Sequence, residues 1–149
     1  MRISLEVNGA ARELDCEPRR TLVEALRGEL GLTGTKQPCG MGDCGGCTVL
    51  LDDAAVCACL VLAVECDGRR VTTIESFREP SALQRAFLEE DAFQCGFCTP
   101  GQIMALEGLL RARPRPSDEE IVRALSGNLC RCGAYRNILR AAKKVRDAR

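Results

Sequence analysis

The sequence contains no histidine and no tryptophan, and only one tyrosine and four phenylalanines. The missing histidine excludes His-ligated zinc, a His-containing Rieske centre and an imidazole general base. Serine and cysteine are present, but neither has an evident partner to activate it as a nucleophile. The chain is therefore not expected to make or break substrate bonds itself. Few aromatics leave a mostly aliphatic core. No apolar run is long enough to cross a bilayer. The N-terminus, Met1-Arg2-Ile3-Ser4-Leu5, alternates like a strand from its start, with no room for a signal sequence. Arg19-Arg20 lacks the hydrophobic segment that would follow a twin-arginine signal. Net charge is also absent. Residues 1–76 carry 8 Lys/Arg against 12 Asp/Glu, net −4, and residues 77–149 carry 13 against 9, net +4. That split reads either as ordinary solvated surface or as two halves facing different partners.

What the chain has in excess is cysteine, eleven in 149 residues. With no export signal, this predicts a reducing, cytoplasmic setting, where thiols bind metals more often than they pair. Eight of them form two quartets. The first is Cys39-Gly40-Met41-Gly42-Asp43-Cys44-Gly45-Gly46-Cys47, with eleven residues between Cys47 and Cys59. The second is Cys95-Gly96-Phe97-Cys98 with a distant Cys130-Arg131-Cys132. Thiolates select iron–sulfur clusters, zinc or copper(I). Two quartets in one short chain predict two metal centres, and two centres at fixed separation suggest an electron relay.

The first quartet has the plant-type [2Fe–2S] spacing C-x4-C-x2-C…C. Its glycines let a short loop wrap three thiolates and bring backbone N–H groups up to the cluster's sulfides, where they tune its potential. A zinc knot normally shows two C-x2-C pairs, and only Cys44–Cys47 fits that. The second quartet is less specific, and C-x2-C with a remote C-x-C also suits zinc. Cys57 lies two residues from Cys59. On a strand both would face the same side, so geometry leaves Cys57 open as an alternative fourth ligand. Cys16, Cys57 and Cys66 otherwise read as small buried hydrophobes.

The pattern around the quartets predicts two kinds of structure. Ile3, Leu5 and Val7 alternate, Asn8-Gly9 marks a hairpin, and residues 10–16 return. Thr21-Leu22-Val23-Glu24 is a capping box opening a helix, with Gly31 as its expected C-cap. Thr48–Leu51, Val56–Val64 and Arg70–Ile74 read as extended, with turns at Asp52-Asp53 and Asp67-Gly68. This half is a small mixed sheet with one helix on it. Residues 75–81 read as a linker. Beyond it, Ser81-x-x-Gln84, Thr99-x-x-Gln102 and Ser117-x-x-Glu120 are three further capping boxes, and Ile138, Leu139, Ala142 and Val145 mark a last helix. That half is expected to be a four-helix bundle, with the second quartet between its helices. The basic residues of the last helix (Arg140, Lys143, Lys144, Arg146, Arg149) read as a solvated, dipole-favoured end rather than a nucleic-acid patch, since no aromatics interleave them.

The stretches Gln94-Cys95-Gly96-Phe97-Cys98-Thr99-Pro100-Gly101 and Asn128-Leu129-Cys130-Arg131-Cys132-Gly133-Ala134-Tyr135, together with the first quartet, closely resemble the iron–sulfur subunit of the molybdenum hydroxylases: the xanthine dehydrogenase, aldehyde oxidase and aerobic carbon monoxide dehydrogenase family. The resemblance spans essentially the whole chain. It implies an α+β protein, with an N-terminal β-grasp ferredoxin-like domain (1–76) followed by a C-terminal four-helix-bundle [2Fe–2S] domain (77–149). It implies that Cys39, Cys44, Cys47 and Cys59 hold the cluster nearer a flavin, the eleven-residue spacing favouring Cys59. It implies that Cys95, Cys98, Cys130 and Cys132 hold the cluster nearer molybdenum, and that Gln94 and Cys132 lie beside the pterin. Gly46 stands where Ala is common, Pro38 where Gly is frequent, and Gly133-Ala134 where Thr-Gly is frequent; none of these removes a ligand. The implied partners are a large molybdopterin-binding subunit and a medium FAD-binding subunit, in a heterotrimer or a dimer of heterotrimers. The implied role is electron transfer within an oxidoreductase, with no nucleic acid and no membrane span. Two other classes compete: an iron–sulfur redox sensor, although no DNA-reading element is evident, and a zinc-stabilised interaction module. The substrate is not encoded here, because the large subunit reads it.

Overall fold

The computed structural model describes all of residues 1–149. Ile3, Leu5 and Val7 point to one side of strand β1 (Arg2–Val7) and are buried, while their neighbours face solvent. The Asn8-Gly9 turn has φ of +53° and +80°, the double left-handed geometry that tight hairpins favour. It returns the chain as β2 (Ala10–Asp15), antiparallel with Val7 opposite Ala10. Helix α1 (Leu22–Gly28) opens on the expected Thr21–Glu24 capping box. It buries Leu22, Val23, Ala25 and Leu26. The helix ends sooner than Gly31 predicted, with Glu29 as its cap. Gly31, at φ +66°, instead turns the chain beyond it, and the Leu32 amide donates to the Leu26 carbonyl at 2.8 Å.

Strands β3 (Thr48–Leu51), β4 (Ala54–Cys57) and β5 (Arg70–Thr72) complete a five-stranded mixed sheet in the order β2-β1-β5-β3-β4. Only the β1–β5 pairing is parallel. Asp52 and Asp53, both at positive φ, form the predicted turn. The expected strand over Val56–Val64 is formed only at Val56 and Cys57. Pairing stops at Cys57, and Ala63–Cys66 is a short 3-10 turn. The reason is competition for backbone hydrogen bonds. The carbonyls of Ala58 and Val61 accept from Val23 and Leu22, and the Ala63 amide donates to Arg20. This segment is thus tied to the start of α1 rather than to the sheet. The extended segment expected to Ile74 likewise stops at Thr72, and Ile74–Ser76 is a single 3-10 turn.

The remaining chain is helical: α2 (Ala82–Glu89), α3 (Thr99–Ala112), α4 (Asp118–Leu125) and α5 (Tyr135–Asp147). Ser81 and Ser117 cap α2 and α4 as their sequence boxes predict. Thr99 does not cap α3. The N-cap is Cys98, without a side-chain cap, and Pro100 occupies the first turn. The Gln102 side chain turns instead to the Asn128 carbonyl at 2.8 Å.

Two apolar cores result. One lies between the sheet and α1, and the other among α2–α5 around Phe87, Leu106, Leu110, Ile121 and Ile138. The helices do not stand apart from the sheet. Gly108 of α3 packs against Leu50 and Ala55, so close that a Cβ there would lie 3.0 Å from the Leu50 side chain. Arg111 of α3 reaches the β3–β4 turn and binds Asp53 at 2.6 Å. The basic face of α5 is not left free. Arg140 and Lys144 bind Glu90, Lys144 binds Glu89, and Lys143 and Arg146 bind Asp118. No helix is long and apolar enough to cross a membrane.

Candidate metal centres

The first cysteine group is built from the loop between α1 and β3 and from the turn after β4. Gly45 takes φ +68° inside it. A side chain there would run into the Gly127 carbonyl and the Asn128 side chain, so the loop can lie against α3 and the segment after α4 only with glycine. The thiols meet in pairs. The Met41 amide, then the Cys44 thiol, pull Cys39 down to about 6. Cys47 is buried and its thiol is pushed up to about 12 by that burial, with Cys59 against it. A neutral thiol is the form that burial favours, while the N–H groups around Cys39 favour a thiolate.

Cys57 also touches this group. Its half-buried thiol is raised by burial, contacts Cys47 and lies 3.9 Å from the Gly42 carbonyl. The premise that Cys57 and Cys59 share one strand face does not hold, because β4 ends at Cys57 and Cys59 sits in the next turn. That turn closes through the Leu60 amide on the Cys57 carbonyl at 2.9 Å, and it carries Cys59 inward to a buried position. Cys16 and Cys66 are buried in the sheet-side core, as expected of small hydrophobes, and burial raises Cys66 to about 11.

The second group joins the loop before α3 to the loop before α5. It too is paired. The Phe97 amide and the Cys132 thiol lower Cys95. Burial pushes Cys98 up to about 12, with the Cys130 thiol beside it. Burial works to raise Cys130, but the amide of Ala134, the Cys98 thiol and the amides of Cys132 and Gly133 bring it below its ordinary value. The Cys130 amide donates to the Tyr135 hydroxyl at 2.8 Å, which anchors this loop to the first turn of α5. Cys95 and Cys132 are exposed, Cys98 is half-buried and Cys130 is buried. Gln94 is exposed beside Cys95. Around them lie the exposed Phe93, Phe97 and Leu129. An open apolar groove of about 410 Å³, lined by Ile74, Phe87, Leu88, Phe93, Pro100 and Ile103, opens next to the Cys95–Cys98 loop.

The eight predicted cysteines therefore gather into two groups of four, each as two pairs. Nowhere do three or more Cys, Asp or Glu side chains close on a single ion position. A [2Fe–2S] cluster takes two cysteines on each of its two irons. The donor set fits such a cluster: all-thiol, paired, and met by amides at Cys39, Cys95 and Cys130.

Residues 5–88 match a 2Fe-2S iron-sulfur cluster binding domain, and residues 73–143 match a [2Fe-2S] binding domain. The chain is 48% identical over 141 residues to the nicotine 6-hydroxylase small subunit of Paenarthrobacter nicotinovorans, covering 93% of this chain and 86% of the relative. It is 45% identical over 144 residues to the nicotinate dehydrogenase small FeS subunit of Eubacterium barkeri, covering 95% of this chain and 92% of that one. The chain belongs to the small iron–sulfur subunits of the molybdenum hydroxylases. Its fold matches a chain in the crystal structure of quinoline 2-oxidoreductase from Pseudomonas putida 86 with a TM-score of 0.94 at 43% identity, covering 99% of this chain and 94% of that one.

In this small subunit, motif reading missed the contacts that join the two cysteine loops. The Leu129 amide donates to the Cys44 carbonyl at 2.9 Å. The buried Asn128 amide group donates to the Gly45 carbonyl at 2.9 Å and to the Thr48 hydroxyl at 3.2 Å. The signal was an amide side chain two residues before Cys130, which local sequence gives no reason to bury.

Proposed function

We propose that this chain is the electron-transfer subunit of a multi-subunit molybdenum-containing hydroxylase or dehydrogenase. Its own residues hold two [2Fe–2S] clusters: Cys39, Cys44, Cys47 and Cys59 one, and Cys95, Cys98, Cys130 and Cys132 the other. Bound there, the clusters supply one-electron storage and transfer at tunable potential. The chain holds, insulates and spaces them, while oxidation of the substrate takes place on a large molybdopterin-binding partner and FAD sits on a medium partner. The assembly is a heterotrimer or a dimer of heterotrimers in the cytoplasm. The division of labour follows residues 1–76, a β-grasp ferredoxin-like unit, and residues 77–149, a four-helix unit.

The observation that carries this reading is the formation of two complete, paired thiol groups in one folded chain. Their exposure supports the orientation. The second group keeps Cys95 and Cys132 at the surface beside Gln94, Phe93 and Phe97, which suits close approach of a molybdenum-side pterin. The first group keeps Cys47 and Cys59 buried. Iron and acid-labile sulfide analysis of the chain purified with its partners tests the reading. Two clusters require four iron and four sulfide per chain, with molybdenum and flavin co-purifying. Stoichiometric zinc, or folded protein with one cluster, refutes it.

A further inference from the structure

We propose that Asn128 is a positioning residue for electron passage, holding the two cysteine groups in the register that lets the Leu129 amide bond the Cys44 carbonyl. The proposal rests on the electron-transfer reading above and concerns what joins its two centres.

Several independent contacts meet at this point. Asn128 is only 6% exposed, yet both partners of its amide group belong to the other half of the chain, Gly45 and Thr48. Thr48 Oγ1 also donates to the Gly45 carbonyl at 2.7 Å, so that oxygen is held from two sides. The Asn128 main-chain carbonyl is held by Gln102 Nε2 at 2.8 Å, and its amide donates to Leu125 at 2.9 Å. Asn128 is thus fixed by α3 and α4 on one side and grips the first cysteine loop on the other. The backbones touch as well. A Cβ on Gly101 would lie 2.5 Å from the Gly45 carbonyl oxygen and 3.2 Å from the Gly46 Cα.

An apolar side chain would fill this space. A buried polar network does something different, because its directional bonds permit one arrangement and penalise sliding, although Gln102 Oε1 within it has no partner. What it fixes is a short bonded link: Cys44, its carbonyl, the hydrogen bond, Leu129 and Cys130. Cys44 belongs to one proposed ligand set and Cys130 to the other. Passage along this link needs no proton and no bond change in the chain. One electron leaves one centre as one arrives at the other, with reduced substrate as the source and oxidised flavin as the sink on the partner subunits.

The test uses the cluster-loaded chain in its complex, with Asn128→Leu, which removes both donors, and Asn128→Asp, which keeps the shape. Four quantities are read: iron and sulfide content, the midpoint potential of each cluster, the magnetic splitting between the two reduced clusters by EPR, and the intercluster rate after flash reduction. The expected result is two assembled clusters at unchanged potentials, with the splitting lost and the intercluster step slowed. Gly101→Ala, which presses on Gly45 from α3 without removing a polar group, is expected to do the same. Unchanged splitting and rate in cluster-replete variants overturn the proposal. So does loss of a cluster in all three variants, since Asn128 is then an assembly residue only. A wild-type chain without two clusters instead sinks the electron-transfer reading itself.

Discussion

The two halves solve one problem, gathering four thiols, by opposite means. In the sheet half, three of the four cysteines come from a nine-residue loop and the fourth from the turn after β4. The apolar core beneath them is already closed by the sheet and α1. In the helical half, the loop before α3 supplies two cysteines and the loop before α5 supplies the other two, about 30 residues later. There the cysteine group also staples two helix ends together. A local site depends on its loop, whereas a site assembled from distant segments is itself part of what holds the fold.

The largest effect expected from this contrast is on metal removal. Closing a loop of about 30 residues contributes roughly 3–4 kcal/mol in a chain-entropy account. Stripping iron with a chelator should therefore lower the melting temperature of the helical half more than that of the sheet half, and two separable melts should appear. Within the same comparison, Cys130→Ser should abolish one EPR signal and Cys47→Ser the other. Cys59→Ser should lose or alter the sheet-side signal, and Cys57→Ser should leave both intact. Loss of the signal in Cys57→Ser alone would reverse the assignment of the fourth ligand.

A smaller effect sharpens the comparison of the two cores. Phe87 and Leu26 are almost fully buried, one in each core. Phe87→Ala should cost about 3–5 kcal/mol and Leu26→Ala about 2–5 kcal/mol. With clusters loaded, denaturant unfolding should show each loss confined to its own half. If Phe87→Ala weakened both halves equally, the cores would be one cooperative unit. Smaller again, Thr21→Ala and Ser117→Ala each remove a formed capping box and should cost about 1 kcal/mol, read as a shift in denaturant midpoint.

The smallest effect concerns acid. In the helical half, Lys143 and then Arg146 hold Asp118 below the usual carboxylate range, Lys144 does so for Glu90, and Arg146 for Asp147. In the sheet half, the Arg70 amide and the Arg69 side chain do so for Asp52, and Arg111 for Asp53. A carboxylate depressed in the folded state stabilises it above the unfolded pKa of about 4, and the gain is lost as pH falls through the lower folded value. Melting temperature should therefore drop between pH 5 and pH 3. Added salt should reduce the margin at pH 7, because these pairs are solvent-exposed.

Short-range chemistry was legible in the sequence. The Asn8-Gly9 hairpin, the boxes at Thr21, Ser81 and Ser117, and the nine-residue loop of Cys39, Cys44 and Cys47 follow from residues a few positions apart. Misreadings occur where distant partners decide. Val56–Val64 has a strand's composition, but α1 takes its hydrogen bonds. Thr99 and Gln102 have the spacing of a capping box, but Gln102 is needed by Asn128. The helices show the apolar spacing of a bundle, yet α3 also packs on β3 and β4, which Gly108 alone hints at.

The close approach of Gly101 to Gly45 and Gly46 also governs how this protein can be rebuilt. Two segments that touch backbone to backbone cannot be treated as interchangeable cassettes. A hybrid taking its sheet half from one relative and its helical half from another must carry over residues 44–48, 101–102 and 127–129 as one matched set. A half that brought any side chain to position 45 or 101 would press a Cβ into the facing backbone, where the molecule has no room for it.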